Sequence, residues 1–274
     1  MSERPIIVAT DLSPRNDRAV DRALQLGAAM GRTVSLVHAR SPAINDETAE
    51  QLVALGRAAL PDPAADVEIR MPVGPAPEVI AKTADTLDAA LIVCGVARFN
   101  GIGDYFSGTA VDHIITRGHR PVLVVKQRPH RAYAKILVTT DFSDFSAHAL
   151  AVAAEMFPDA ELHLVHAFHV PFEGFQKAGH VKEQVEADVS DEMRRFLARP
   201  ELAGLGERVQ WRLCYGGVAK GIRTAMEQVQ PDLLVAGTHG KGGWRRATLG
   251  SIASDLLEWV PIDMLVVPPE VPAS

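Results

Sequence analysis

Short apolar runs recur along the chain, and a longer amphipathic stretch follows nearly every one. The runs are rich in Val, Ile and Leu with few polar interruptions, as in Ile6-Ile7-Val8-Ala9 and Leu91-Ile92-Val93-Cys94. Such continuous runs suit strands covered on both faces rather than strands with one wet face. They predict strands near 5–10, 33–39, 66–71, 90–95 and 121–126, then near 134–140, 160–168, 208–214, 232–237 and 262–267. Between them, helical spacing predicts helices near 15–30, 46–60, 76–87 and 108–118, then near 144–156, 180–198, 218–229 and 250–259. Strict alternation of strand and helix implies parallel β-α-β units with right-handed crossovers. The expected fold class is therefore α/β and doubly wound, with ligands bound at the carboxyl ends of the strands where the order reverses.

The pattern repeats. Ile6-Ile7-Val8-Ala9-Thr10-Asp11-Leu12-Ser13 is answered by Ile136-Leu137-Val138-Thr139-Thr140-Asp141-Phe142-Ser143. Leu36-Val37-His38-Ala39 is answered by Leu164-Val165-His166-Ala167, and Leu91-Ile92-Val93-Cys94-Gly95 by Leu233-Leu234-Val235-Ala236-Gly237. Val73-Gly74-Pro75-Ala76 is aligned with Gly216-Gly217-Val218-Ala219, an offset of 143. The offset grows between the second and third strands, so the second copy carries an insertion between Val170 and Leu205. The polar, Pro-containing tract Lys126 to Arg131 reads as the linker. Two units are expected, over residues 1–128 and 133–274.

The most informative stretch joins the fourth strand and fourth helix of the second unit. Gly237 and Gly240 flank two residues, nine more separate Gly240 from Gly250, and Ser251 follows at once. A glycine-rich turn that ends at a helix start with a small hydroxyl residue suits phosphate: the backbone can come close, and free N–H groups point at the anion. Lys241, Arg245 and Arg246 lie inside this loop, where they either offset phosphate charge or are simply solvated. The same glycines could equally serve only to turn the chain. The first unit has the frame with one change: Gly95 and Gly108-Thr109 match, but Arg98 stands where the second copy has Gly240. Asp11 and Asp141 close the first strand of each unit, placed either to start the next helix or to bond a ribose or base at the sheet edge.

Composition narrows the classes. A net charge of −6 and a pI near 5.9 argue against nucleic acid or an anionic membrane as partner. No apolar run reaches the length of a membrane span, and the start of the chain lacks a signal-peptide layout. Cys94 and Cys214 both fall in strands and read as buried free thiols, which fits a cytoplasmic location. His163, His166 and His169 are not expected to bind metal, because strand alternation points His163 and His166 to opposite faces. The Gly-x-Ser-x-Gly elbow and the Gly-x-x-x-x-Gly-Lys-Ser/Thr loop are both missing, which argues against a serine hydrolase or a P-loop ATPase.

Together these features resemble the universal stress protein family in its tandem two-domain form, over nearly the whole chain. Its signature, Gly-x-x-Gly, nine residues, then Gly-Ser/Thr, is met by Gly237, Gly240, Gly250 and Ser251. Asp11, Asp141 and the Val-His pairs at 37–38 and 165–166 support the match. The resemblance implies a five-stranded parallel sheet of order 3-2-1-4-5 in each unit, related by a pseudo-two-fold, with fifth strands pairing between units. It implies ATP as ligand, with ADP or AMP left open. Thr140 and Asp141 would line the adenosine end, the backbone at Ala167 would meet the adenine edge, and Gly237, Gly240, Gly250 and Ser251 would hold the phosphates. Arg98 argues that the first unit has lost nucleotide binding, although its guanidinium could instead pair with phosphate. Asp263, in the fifth strand where the first unit has Leu123 or a neighbour, is expected to face the edge of the interdomain contact.

The leading expectation is an ATP-binding regulatory protein with little or no hydrolysis, since no water-activating base stands near the phosphates, acting on protein partners. The alternative is a nucleotide-free pseudo-dimeric scaffold whose contact region is the insertion, with Phe168, Phe172 and Phe175. A nucleotidyl transferase would need a further catalytic constellation, which the sequence does not present. Tandem fusion makes the pairing intramolecular, and a further homodimer is left open.

Overall fold

A computed structural model describes residues 4–44, 46–96, 110–169, 178–240 and 249–269. The first unit runs β1 (Ile6–Ala9), α1 (Asp17–Met30), β2 (Val34–Val37), α2 (Asp46–Ala58), β3 (Val67–Arg70), α3 (Ala76–Thr86), β4 (Leu91–Gly95), α4 (Ala110–Arg117) and β5 (Val122–Val125). The second runs β6 (Lys135–Thr139), α5 (Asp144–Met156), β7 (Glu161–Phe168), α6 (Ala178–Leu197), β8 (Val209–Tyr215), α7 (Val218–Val229), β9 (Leu233–Gly237), α8 (Ser251–Trp259) and β10 (Asp263–Val267). Each element falls where the hydrophobic period places it.

All ten strands of the described residues form one sheet, in the order β3-β2-β1-β4-β5-β10-β9-β6-β7-β8. Within each unit the order is 3-2-1-4-5 and every pairing is parallel. The units meet through β5 and β10, which run antiparallel with Leu123 opposite Leu265. These two leucines are 142 positions apart, so the pseudo-two-fold axis passes through their pair. The same offset relates Gly74 and Gly216, the positive-φ glycines after the third strands (φ +138 and +129). The sequence alignment at 143 was thus one residue off: the left-handed turn, which only glycine adopts cheaply, sets the true register.

Strand alternation sends residues to two continuous apolar layers, each spanning both units. Ile6, Val8, Leu36, Leu91, Val93, Ile136, Val138, Leu164 and Leu265 pack beneath α1 and α5. Ile7, Ile92, Val124, Leu137, Leu234 and Met264 pack on the other face against α3, α4, α7 and α8. The inner face of α6 adds Met193 and Phe196 to the first layer, and Phe196 lies 5.7 Å from the Phe142 ring. The second half of the insertion therefore helps close its own unit. Phe168 is buried edge-on against Tyr215, while Phe172 and Phe175 lie outside the described residues.

Asp263 corrects the expectation made for it. It is 1% exposed, and by strand register its counterpart is Pro121 rather than Leu123. Its Oδ1 accepts the backbone N–H groups of Lys126 (2.7 Å) and Gln127 (2.9 Å), and its Oδ2 accepts the Tyr133 hydroxyl at 2.6 Å. Arg22 of α1 lies 3.5 Å away, equally buried, and its guanidinium stacks over the Tyr133 ring at 4.1 Å. The carboxylate does not face an edge because the linker folds over it. A buried charge persists only where it is paired and hydrogen-bonded, and the linker backbone supplies those bonds.

Lys126 extends this network. Its Nζ donates to the carbonyls of Leu257 and Val260, each at 2.6 Å, and so satisfies the C-terminal end of α8. Burial lowers its pKa from 10.5 to about 8, against the opposing pull of Asp263. With a depressed folded-state pKa, the native chain holds fewer protons here than the unfolded chain between about pH 8 and 10.5, so this group's contribution to stability rises across that window. We expect the stability difference between wild type and Lys126→Met, measured by urea unfolding, to increase from pH 7.5 to pH 10. A flat or falling difference would contradict it.

Candidate functional site

At the carboxyl ends of β6 and β9, where the strand order reverses in the second unit, the structure has a cavity of about 420 Å³. Thr140, Asp141, Ala167, Gly237, Gly240, Gly250 and Ser251 all line it. The sequence residues singled out for a ligand are thus brought together, from four separate parts of the unit.

The turn after β6 is built by its own side chains. Thr140 Oγ1 accepts from the Phe142 N–H at 2.9 Å, and Asp141 Oδ1 accepts from the Ser143 N–H at 3.1 Å. These bonds hold Phe142 at a left-handed φ of 64°. Ser143 then caps α5, accepting from Ser146 N–H at 3.2 Å. Asp141 therefore both shapes the turn and borders the cavity, so the two readings of it are compatible. His166, on β7, donates from Nδ1 to the Thr140 carbonyl at 2.8 Å and stacks on Phe142 at 4.2 Å. This bond fixes the turn to the second strand and places the Ala167 backbone beside it.

The glycines have a more local cause than approach to an anion. A Cβ at Gly240 would lie 2.5 Å from Asp141 Oδ2, one at Gly250 2.9 Å from the Thr238 carbonyl oxygen, and one at Gly237 3.1 Å from the Phe145 carbonyl oxygen. Gly250 is pressed hard by backbone and Gly237 closely so, whereas the neighbour of Gly240 is the far end of a side chain. The cavity side is set instead by α8. Gly250 is its N-cap residue and has no side chain with which to cap. The first turn, Ser251, Ile252 and Ala253, forms part of the cavity wall. A helix start of this kind presents unsatisfied N–H groups and partial positive charge.

Sequence reasoning missed the apolar wall. Val218 and Ile222 line the cavity from α7, one turn apart, with Ile252 from α8. The Val218–Ile222 spacing is visible in the sequence, but it reads equally as a core stripe. Close packing carries α7 onto β7: a Cβ at Gly221 would lie 2.7 Å from the Ala167 Cβ. His239 also lines the cavity, with Nδ1 3.0 Å from Thr238 Oγ1. Lys241, Arg245 and Arg246 lie outside the described residues, as do Arg98, Gly108 and Thr109 of the first unit.

A model of the universal stress protein family matches residues 3–126 and again residues 132–268. The chain belongs to the universal stress protein family. A universal stress protein of Methanocaldococcus jannaschii is 30% identical over 143 residues, which is 49% of this chain and 82% of that one. Among solved structures, a functionally unknown protein from Pseudomonas aeruginosa PAO1 matches 98% of this chain and 93% of its own, at 18% identity and TM-score 0.68. A universal stress protein from Archaeoglobus fulgidus matches 98% of this chain and 99% of its own, at 17% identity and TM-score 0.66. These likenesses establish the tandem fold of this family member.

Other chemistry is not assembled among the described residues. No group of three or more His, Cys, Asp or Glu side chains is placed to hold a metal. His163 is buried 3.5 Å from Glu161 and 3.3 Å from Arg212, and burial together with the Arg212 charge pushes its pKa down. His166 is engaged with Thr140 instead. Both cysteines are free and buried, and burial pushes the Cys94 thiol up to about 12, so it is not a thiolate nucleophile. No helix among the described residues is long and apolar enough to cross a membrane.

Proposed function

We propose that the second unit binds an adenine nucleotide, ATP first among them, and that occupancy regulates protein partners with little or no hydrolysis. One observation carries this: a cavity at the strand-order reversal has a helix start lacking a capping side chain on one wall and a hydroxyl-carboxylate turn on another. Phosphate belongs at Gly250 and Ser251, where N–H groups and the helix dipole favour an anion. Asp141 would repel phosphate, so its place is with the ribose hydroxyls. Ala167, Val218 and Ile222 offer the flat, apolar surroundings that suit a base. The domain division at 1–128 and 133–274, and a cytoplasmic setting, belong to the same reading.

Calorimetric titration of the purified chain with ATP tests it, and one site per chain is expected. Absence of binding would leave a nucleotide-free scaffold, for which the partly exposed α6 is the natural contact element.

A further inference from the structure

Each unit carries an arginine at the same place ahead of its third strand, and the two are used differently. Arg57 lies ten residues before Val67, the start of β3, and Arg199 ten before Val209, the start of β8. Leu60 and Leu202, three positions further on, are buried in the same apolar layer. Arg57 folds onto its own connection: Nη1 donates to the Ala65 carbonyl at 2.9 Å and Nη2 to the Val67 carbonyl at 2.8 Å. Arg199 reaches instead to the turn after β6. Its Nη2 donates to the Phe142 carbonyl at 2.8 Å and its Nη1 to Asp144 Oδ1 at 2.9 Å.

The bond to Phe142 matters because of what the same peptide group does at its other end. The peptide joining Phe142 to Ser143 offers its carbonyl to Arg199 and its N–H to Asp141 Oδ1, at 3.1 Å. Hydrogen bonds in such a chain polarise and strengthen one another. Phe142 is left-handed, at φ 64°, a conformation that a bulky residue keeps only where its surroundings enforce it. Those surroundings include the His166 ring, stacked at 4.2 Å, and the Phe196 ring of α6, at 5.7 Å. The first unit makes the same turn while its arginine is engaged elsewhere, with Leu12 at φ 59° and Ser13 N–H donating to Asp11 Oδ1 at 2.9 Å. Arg199 is therefore not what forms the turn. It adds a charged fork that fixes one peptide plane and ties it to the end of α6.

We propose that Arg199 is a positioning residue of the nucleotide site: through the Phe142–Ser143 peptide it holds the Asp141 carboxylate in the orientation that meets the ribose hydroxyls. Ligand affinity then depends on the insertion, which carries Arg199 and Phe196. The inference rests on the nucleotide reading of the second unit.

Calorimetric titrations of wild type, Arg199→Ala, Arg199→Lys and Arg57→Ala test it, each with ATP and with dideoxy-ATP, which lacks both ribose hydroxyls. Thermal unfolding confirms the fold. Arg199→Ala is expected to weaken ATP binding about tenfold, the worth of roughly one hydrogen bond to a charged group. Its affinity for dideoxy-ATP should stay at the wild-type value, so the preference for ATP shrinks. Arg199→Lys, with one ammonium in place of a fork, should fall between, and it carries the comparison if the alanine variant does not fold. Arg57→Ala should match wild type. Equal weakening of both nucleotides would reduce Arg199 to a support of the fold, and unchanged ATP affinity would leave it no role; either overturns the inference. Wild type that binds ATP without preferring it to dideoxy-ATP overturns the inference and leaves the nucleotide reading standing. If wild type binds neither, both fail.

Discussion

Replacing Asp263 with alanine is expected to lower unfolding free energy by about 3–5 kcal/mol, the range for removing one partner of a buried charge pair. The change strips the acceptor from two linker N–H groups and from the Tyr133 hydroxyl, and leaves Arg22 charged with a 6% exposed side chain. Each orphaned group bears its own desolvation cost. Asp263→Asn should cost less, because an amide oxygen can still accept from Lys126 and Gln127. Guanidinium unfolding of the three proteins measures the order. A loss below about 1 kcal/mol for the alanine variant would mean that the network is dispensable, as surface pairs are. Since the linker, α1 and β10 meet at this carboxylate, Asp263→Ala should also expose the linker to proteolysis at protein concentrations where wild type resists.

The second large effect concerns binding rather than stability. Gly240→Arg should weaken ATP affinity by about 30-fold or more, roughly 2 kcal/mol, with little change in unfolding midpoint. A Cβ at Gly240 would meet the far end of a side chain, Asp141 Oδ2, rather than backbone, and a side chain gives way at smaller cost to the fold than backbone does. Swinging aside removes the carboxylate from its place in the crevice, and the new guanidinium gives it a partner there. Gly250→Ala makes the contrast, because its Cβ would meet a backbone oxygen, Thr238, that cannot move without the turn. That variant should lose stability as well as affinity. Equal ATP affinity for wild type and Gly240→Arg would count against the nucleotide site itself.

Much of this architecture is legible in one dimension. Every described strand and helix lies where a run of β-branched residues or a helical stripe predicts it, because burial on both faces leaves a continuous apolar signature. The duplication is visible for the same reason. The family resemblance points to the seven residues from Thr140 to Ser251, and parallel β-α-β topology brings the ends of the first, second and fourth strands, which carry them, to one edge.

Three things had to wait for the tertiary structure. The reason for the glycines is one: Gly250 is small because the Thr238 backbone presses on it, and Gly240 faces the Asp141 carboxylate, neighbours that are close only in the folded crevice. Asp263 is another. A charge in an apolar strand reads as an edge residue, and only the path of the linker, folded back across β10, shows where its hydrogen bonds go. The Asn16 side chain is the third: Gly95, far along the chain, lies beside its amide only once the chain is packed. Hydrophobic period is a local property, so the sequence alone determined the elements, their order and the repeat. Contacts between polar groups distant in sequence carry no period, and only the packed chain decided them.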